Sequence, residues 1–409
     1  MSVFASRWVD RLDHVSELRP TQLAAGFTAA GVQAGLKQPP GLDVGVLFSA
    51  EPETVSAARF TTNARVGAPV IASREADVTR LRAVVANSGG SNTGDGQRGL
   101  DTARATQRLA AELLGIDPGQ VGVASTGVIG TELPREPLLS GVREAVQRLG
   151  DDAQNFSDAL LTSDRAPKRA CIEVTLPSGT VRVSAQAKGA GMISPRFATM
   201  FCFVQTDASM SAETIDLLTS VTVKRSFDRI SVDGQLSTSD TVFTQASGAS
   251  GIRVEPETED ELLLGEAMDA VMRSLAVAIV ADGEGAKRVG RIVVRGDERM
   301  AEPVARAIAN SPLVKTALHG GDPNFGRILQ AAGTAWPPSS EFAVDLEIEG
   351  RQVVSAGTAV LHDLHDLAPL VQGDEVEYVL TVPGSGGEAE VYFSDLSPEY
   401  ARFNSAYTT

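Results

Sequence analysis

Thr199 follows Ala198 inside the stretch KGAGMISPRFATMFCFVQ, residues 188–205, where a glycine turn gives way to an apolar, strand-like run. A threonine in that setting can be made into a nucleophile by cutting the chain. If the Ala198–Thr199 bond breaks, hydroxyl and free α-amine sit on one residue, and the nucleophile carries its own base. The ordinary pKa of an α-amine, about 7.7 to 8.0, leaves a useful neutral fraction near physiological pH. The β-branch restricts χ1 and with it the aim of the hydroxyl. The plain alternative is a strand threonine with no chemistry of its own.

Other residues that could join such chemistry are scattered. ASTGVIG, residues 124–130, follows a strand-like run and turns through two glycines, which lets backbone N–H groups point at an oxyanion; an ordinary β-turn fits as well. Lys188, in a glycine-rich turn, reads as a surface lysine or as a fixed cation for a substrate carboxylate. Asp282-Gly283-Glu284-Gly285 stands at the expected end of a long helix, where a carboxylate could project into a cleft or merely border an exposed loop. The tail FNSAYTT, residues 403–409, would ordinarily fray, yet its hydroxyl and amide groups also suit it to fold back onto a polar pocket. Competing signatures fail. Gly94, Gly96 and Gly99 fit GxGxxG, but Glu112, at the expected acidic distance, belongs to the same helix, which argues against dinucleotide binding. The sequence has no GxxxxGK[ST] loop and no GxSxG elbow, and His14, His319, His362 and His365 are not spaced like a zinc site. His362 and His365 flank aspartates in an apparent solvated loop.

The elements that must position these residues are readable from pattern. Short β-branched runs at 43–49, 68–72, 82–87 and 121–125 predict strands between glycine turns. Apolar residues at helical spacing (Ala103, Leu109, Leu113) predict a helix over 100–114 with Gly115 as its C-cap. A longer helix is expected over 260–280, with Leu264, Met268, Met272, Leu275 and Ile279 on one face and acidic residues in its first turn. Strands return at 291–294, 342–348, 375–381 and 388–393. Strands and helices without strict alternation point to a layered α+β architecture. There is no internal repeat or low-complexity linker, so the expected division is functional, at Ala198 and Thr199.

With 409 residues the chain can build more than one substantial core. Its 36 basic and 52 acidic residues leave a formal charge of −16, which disfavours nucleic acid and anionic membrane as partners. Two cysteines, Cys171 and Cys202, both in apolar sequence, read as buried reduced thiols. No signal-peptide pattern and no apolar run near the ~20 residues of a membrane span is seen, and a cytoplasmic site is expected.

Seven stretches in order resemble the ornithine acetyltransferase family, also called glutamate N-acetyltransferase, of arginine biosynthesis. They are GFTAAGVQAGLK (26–37), FTTN (60–63), STGVIG (125–130), KGAGMISPRFATMF (188–201), DGEGA (282–286), SPLVKTALHGGDPNFGR (311–327) and the terminal NSAYTT. The resemblance implies an αββα-type sandwich with N-terminal-nucleophile-like self-processing. It implies cleavage between Ala198 and Thr199 into an α chain, 1–198, and a β chain, 199–409, that stay associated, with a dimer of such pairs, a heterotetramer, as the expected assembly. It further implies Thr199 as the acetyl-carrying nucleophile and Thr126 with Gly127 as the oxyanion hole. Substrate binding falls to Thr162, Lys188, Thr199, Glu284, Asn404 and Thr409. That set suits an amino acid, whose carboxylate and ammonium need a cation, an anion and neutral hydrogen-bonding groups. The chain departs from the family's usual TTDT and SGNAN with Thr162-Ser163-Asp164-Arg165 and Ser88-Gly89-Gly90-Ser91-Asn92. The activity so implied is transfer of acetyl from N-acetylornithine to glutamate without cofactor or metal; whether acetyl-CoA also serves as a donor, which would make the enzyme bifunctional, the sequence leaves open. A paralogue acting on another N-acyl amino acid, with Arg165 altering selection, and an uncleaved binding protein are the rival readings.

Overall fold

The run FCFVQT, just after Thr199 in sequence, forms the strand Phe201–Thr206 in the computed structural model, which describes residues 2–194, 200–338, 341–360 and 364–406. Ala198, Thr199, His362 and Thr409 therefore lie outside the described residues. Because strand side chains alternate, Phe201 and Phe203 turn to one face and join Phe243, Phe156, Leu47, Val84 and Ala124 in one core. Cys202 and Val204 turn to the other, among Ile172, Val183, Val242 and Leu264. Phe203 stacks on Phe243 with centroids 6.0 Å apart. The fully buried rings of Phe201, Phe203 and Phe243 contribute about 1.5–3 kcal/mol each, together comparable with the net stability of a domain.

Those two faces define the layers. Phe27–Val32, Val44–Ser49, Ala83–Asn87 and Val121–Ser125 make a four-stranded sheet. A six-stranded sheet runs Val15–Glu17, Lys168–Leu176, Gly179–Lys188, Phe201–Thr206, Thr241–Ala246, Val55–Phe60. The phenylalanine core lies between the two sheets. Helices Ala68–Glu75, Gly96–Leu114 and Arg135–Gln147 cover the outside of the smaller sheet, and Ala212–Arg225 and Glu259–Ala281 the outside of the larger. The order is αββα, as expected. The chain's later part adds a seven-stranded sheet, from Ile230–Ser231 to Thr358–Ala359, packed against helices Glu298–Ala309, Pro312–Gly320 and Phe325–Thr334 around a separate core. Glu259–Ala281 is shared: its apolar face meets the six-stranded sheet and also Val289 and Tyr392 of the seven-stranded one.

The helix expected over 100–114 begins earlier, at Gly96, and ends as expected with Gly115 left-handed at φ 68°. The long helix carries its acidic first turn, Glu259, Asp260 and Glu261. Residues 68–72 are not a strand. They open the helix Ala68–Glu75, with proline in its first turn, where the missing N–H has no helical partner to lose. The strand expected over 342–348 is shorter, Asp345–Ile348. Cys171 and Cys202 are buried and free, and desolvation raises both thiol pKa values, that of Cys171 to about 12. No described helix is long and apolar enough to cross a membrane.

Candidate functional site

Strand Val121–Ser125 delivers the turn that follows it to the rim of a cavity of about 240 Å³. Thr126 and Gly127 line it, with Thr162, Lys188, Glu284 and Asn404. These six come from five separate stretches of the chain, and all the predicted site positions that are described meet there. A larger cavity, about 700 Å³, lies beside the helices Ala212–Arg225 and Glu259–Ala281 and is lined by none of them. The smaller cavity is the candidate site.

Gly127 has φ 128°, and a Cβ placed on it would lie 2.6 Å from the Gly89 carbonyl carbon and 2.7 Å from the Gly90 nitrogen. Only glycine lets the two loops touch. Ser91 completes the contact, its amide and hydroxyl donating to the Val128 carbonyl at 3.1 and 2.9 Å. The sequence led us to expect backbone donors from this turn. The Thr126 amide, however, is engaged with the Asn87 carbonyl at 3.0 Å.

Lys188 is the last residue of strand Gly179–Lys188 rather than part of a turn, and only 1% of it is exposed. Its ammonium donates to Thr162 Oγ1 at 2.9 Å and Thr126 Oγ1 at 3.3 Å. Desolvation pulls the lysine below its ordinary pKa, and nearby carboxylates, Asp164 first, oppose that. Glu284 follows the long helix, and Asn404 Nδ2 donates to its Oε2 at 2.8 Å. Asn404 belongs to the helix Pro398–Ala406, which brings it to the cavity wall. Gly285, at φ 74°, makes room for that helix: a Cβ there would lie 2.7 Å from the Tyr400 nitrogen.

Sequence reasoning missed Asp233 and Tyr400 on the cavity wall, and Asp164 behind it. Asp233 accepts the Met192 and Ile193 amides at 2.6 and 2.8 Å, and Tyr400 donates to it at 3.4 Å. Such isolated carboxylates carry no motif; Asp233 takes its place from amides 40 and 41 residues away, and Asp164 from the Gly189 amide 25 residues away. Arg165 does not line the cavity. Its Nε donates to Asp282 Oδ1 at 2.8 Å and its side chain is 59% exposed.

The layers define an αββα sandwich, with a polar cavity whose walls come from both halves of the sequence. The chain belongs to the ArgJ family, whose model matches residues 28–409. It is 40% identical over 396 residues to the arginine biosynthesis bifunctional protein ArgJ of Rhodopirellula baltica, covering 95% of this chain and 96% of that one. It is 38% identical over 408 residues to the glutamate N-acetyltransferase of Methanocaldococcus jannaschii, covering 94% and 97%. A solved structure of the arginine biosynthesis bifunctional protein ArgJ from Bacillus halodurans is 30% identical with TM-score 0.47, covering 50% of this chain and 98% of that chain.

Proposed function

We propose that the protein is a self-processing acetyltransferase of arginine biosynthesis that moves acetyl from N-acetylornithine to glutamate through an acetyl-Thr199 ester. The observation that carries this reading is the meeting of Thr126, Gly127, Thr162, Lys188, Glu284 and Asn404 around one cavity in a chain of the ArgJ family. Lys188 receives the substrate carboxylate, Glu284 an ammonium, and the hydroxyl and amide groups complete the match.

In processing, Thr199 Oγ attacks the Ala198 carbonyl, the bond to the Thr199 nitrogen breaks, and water hydrolyses the resulting ester. Chains 1–198 and 199–409 then stay together. Their association is supported by the six-stranded sheet, where Gly179–Lys188 and Phe201–Thr206 are antiparallel neighbours paired from Lys188–Phe201 to Val183–Thr206. Two such pairs associate in the full assembly. In transfer, Thr199 Oγ attacks the acetyl carbonyl while the α-amine takes the hydroxyl proton. The Thr126 hydroxyl and Gly127 amide stabilise the oxyanion. Collapse breaks the acetyl C–N bond, and the α-ammonium returns the proton to departing ornithine. The glutamate amine then attacks the ester, releasing N-acetylglutamate and restoring the hydroxyl. Thr409, outside the described residues, is assigned a part in substrate binding as well.

Mass spectrometry of purified protein incubated with N-acetylornithine tests both steps. The expected result is two chains, the one beginning at Thr199 heavier by about 42 mass units, one acetyl group. An intact chain of 42.8 kDa without adduct overturns the reading.

The paralogue reading drew on Arg165, and Arg165 is turned to Asp282 instead. Exposed ion pairs contribute about 0–1 kcal/mol. Arg165→Thr is therefore expected to change the ratio of kcat/KM for N-acetylornithine over N-acetylglutamate as donor by less than about twofold. Steady-state kinetics with both donors checks it.

A further inference from the structure

Behind the cavity wall, Asp164 has a side chain with no exposed area. Its Oδ1 accepts the Gly189 amide and Lys168 Nζ, both at 2.6 Å. Its Oδ2 accepts the Thr162 amide at 3.1 Å and lies 4.0 Å from Lys188 Nζ. Lys168, itself 4% exposed, also donates to Asp282 Oδ2 at 2.5 Å, and Asp282 caps the helix that leads to Glu284. Charges thus alternate from Lys188 through Asp164, Lys168 and Asp282 to Arg165. Neither Asp164 nor Lys168 lines the cavity.

We infer that Asp164 is the positioning residue for Lys188: its carboxylate holds the two residues flanking the site, Thr162 and Gly189, and supplies the charge that keeps a buried ammonium at the cavity wall for the substrate carboxylate. The inference rests on the reading of Lys188 as the partner of that carboxylate. Among the described residues, the charged or titratable groups that act on Lys188 are Asp164, Lys168, Asp240 and Glu284. Asp240, wholly buried, is pushed well above the carboxylate range by desolvation and so lends little charge. Burial also pushes Asp164 upward, but the adjacent Lys168 and Lys188 overcome it and hold the group below that range, ionised. Lys37 lies on the outer side, donating to the Leu161 carbonyl at 3.2 Å, and Asp164 opposes the loss of its proton too. Glu284 is across the cavity and tied to Asn404.

The sign follows. The Lys188 pKa is already lowered, and losing the Asp164 charge lowers it further, so the cation disappears at a lower pH. In Asp164→Asn, the alkaline fall of kcat/KM for N-acetylornithine should move down by about one pH unit or more, carried by KM, with kcat on the acid side changed less than about threefold. Asp164→Glu should restore part of the shift. Lys168→Met removes the cation that disfavours a second one, so its alkaline limb should move up. These opposite directions separate positioning from general damage, and Lys168→Met carries the test if Asp164→Asn does not fold or process. A wild-type limb in Asp164→Asn, a uniform loss at every pH, or a downward limb in Lys168→Met overturns the inference. Lys188→Met tells the two levels apart. If it leaves KM unchanged, the reading of Lys188 fails; if it raises KM about tenfold or more while the limb of Asp164→Asn stays put, the inference alone fails.

Discussion

Thr199→Ala is expected to give one uncut chain of 42.8 kDa that transfers no acetyl group, because in the proposed mechanism the hydroxyl that attacks Ala198 is the one later acylated. Loss of a covalent nucleophile removes the pathway rather than slowing it, so activity should drop to background on a denaturing gel and in a donor-dependent assay alike. Thr199→Ser keeps the hydroxyl and loses the χ1 restriction, and partial processing with partial turnover should remain. Two fragments from Thr199→Ala would mean that another agent cuts the chain.

Gly127→Val should lower kcat by on the order of 10²–10³, the range for losing an oxyanion donor, while the fold survives. The added Cβ would press on the backbone of Gly89 and Gly90, so the turn must move and carry the Gly127 amide with it. The damage should stay local, because Val121–Ser125 beneath is wholly buried in its sheet. Circular dichroism should match the parent, and the melting temperature should fall because the valine is strained at φ 128° and parts the two loops. A folded variant with unchanged kcat would remove this turn from the mechanism. Thr126→Ala, which deletes the other donor without moving backbone, should give a smaller loss on the same axis.

Particular elements explain what could be read beforehand. The helix Glu259–Ala281 was visible because one face is apolar at helical spacing and its first turn is acidic. Gly115 was visible because a left-handed C-cap favours glycine. Ala68–Glu75 was mistaken for a strand because a five-residue apolar run has no length to separate the two periods; Pro69 was the available signal. Lys188 was assigned to a turn because two glycines follow nearby, whereas pairing with Phe201 carries the strand Gly179–Lys188 through it.

Residue types and short spacing by themselves determined the chemistry on offer: a threonine after a small residue, a glycine turn able to bare amides, a lysine, a carboxylate after a helix, an amide near the end. They also determined the layered class, since apolar periodicity is a local property of each element. The tertiary structure alone decided which of these groups share one cavity, and that Arg165 points to Asp282 while Asp164 stands behind Lys188. The reason is physical. Periodicity records which face of an element is buried, but charge pairing across more than a hundred residues, as between Lys168 and Asp282, depends on how those faces are stacked and leaves no mark in local sequence.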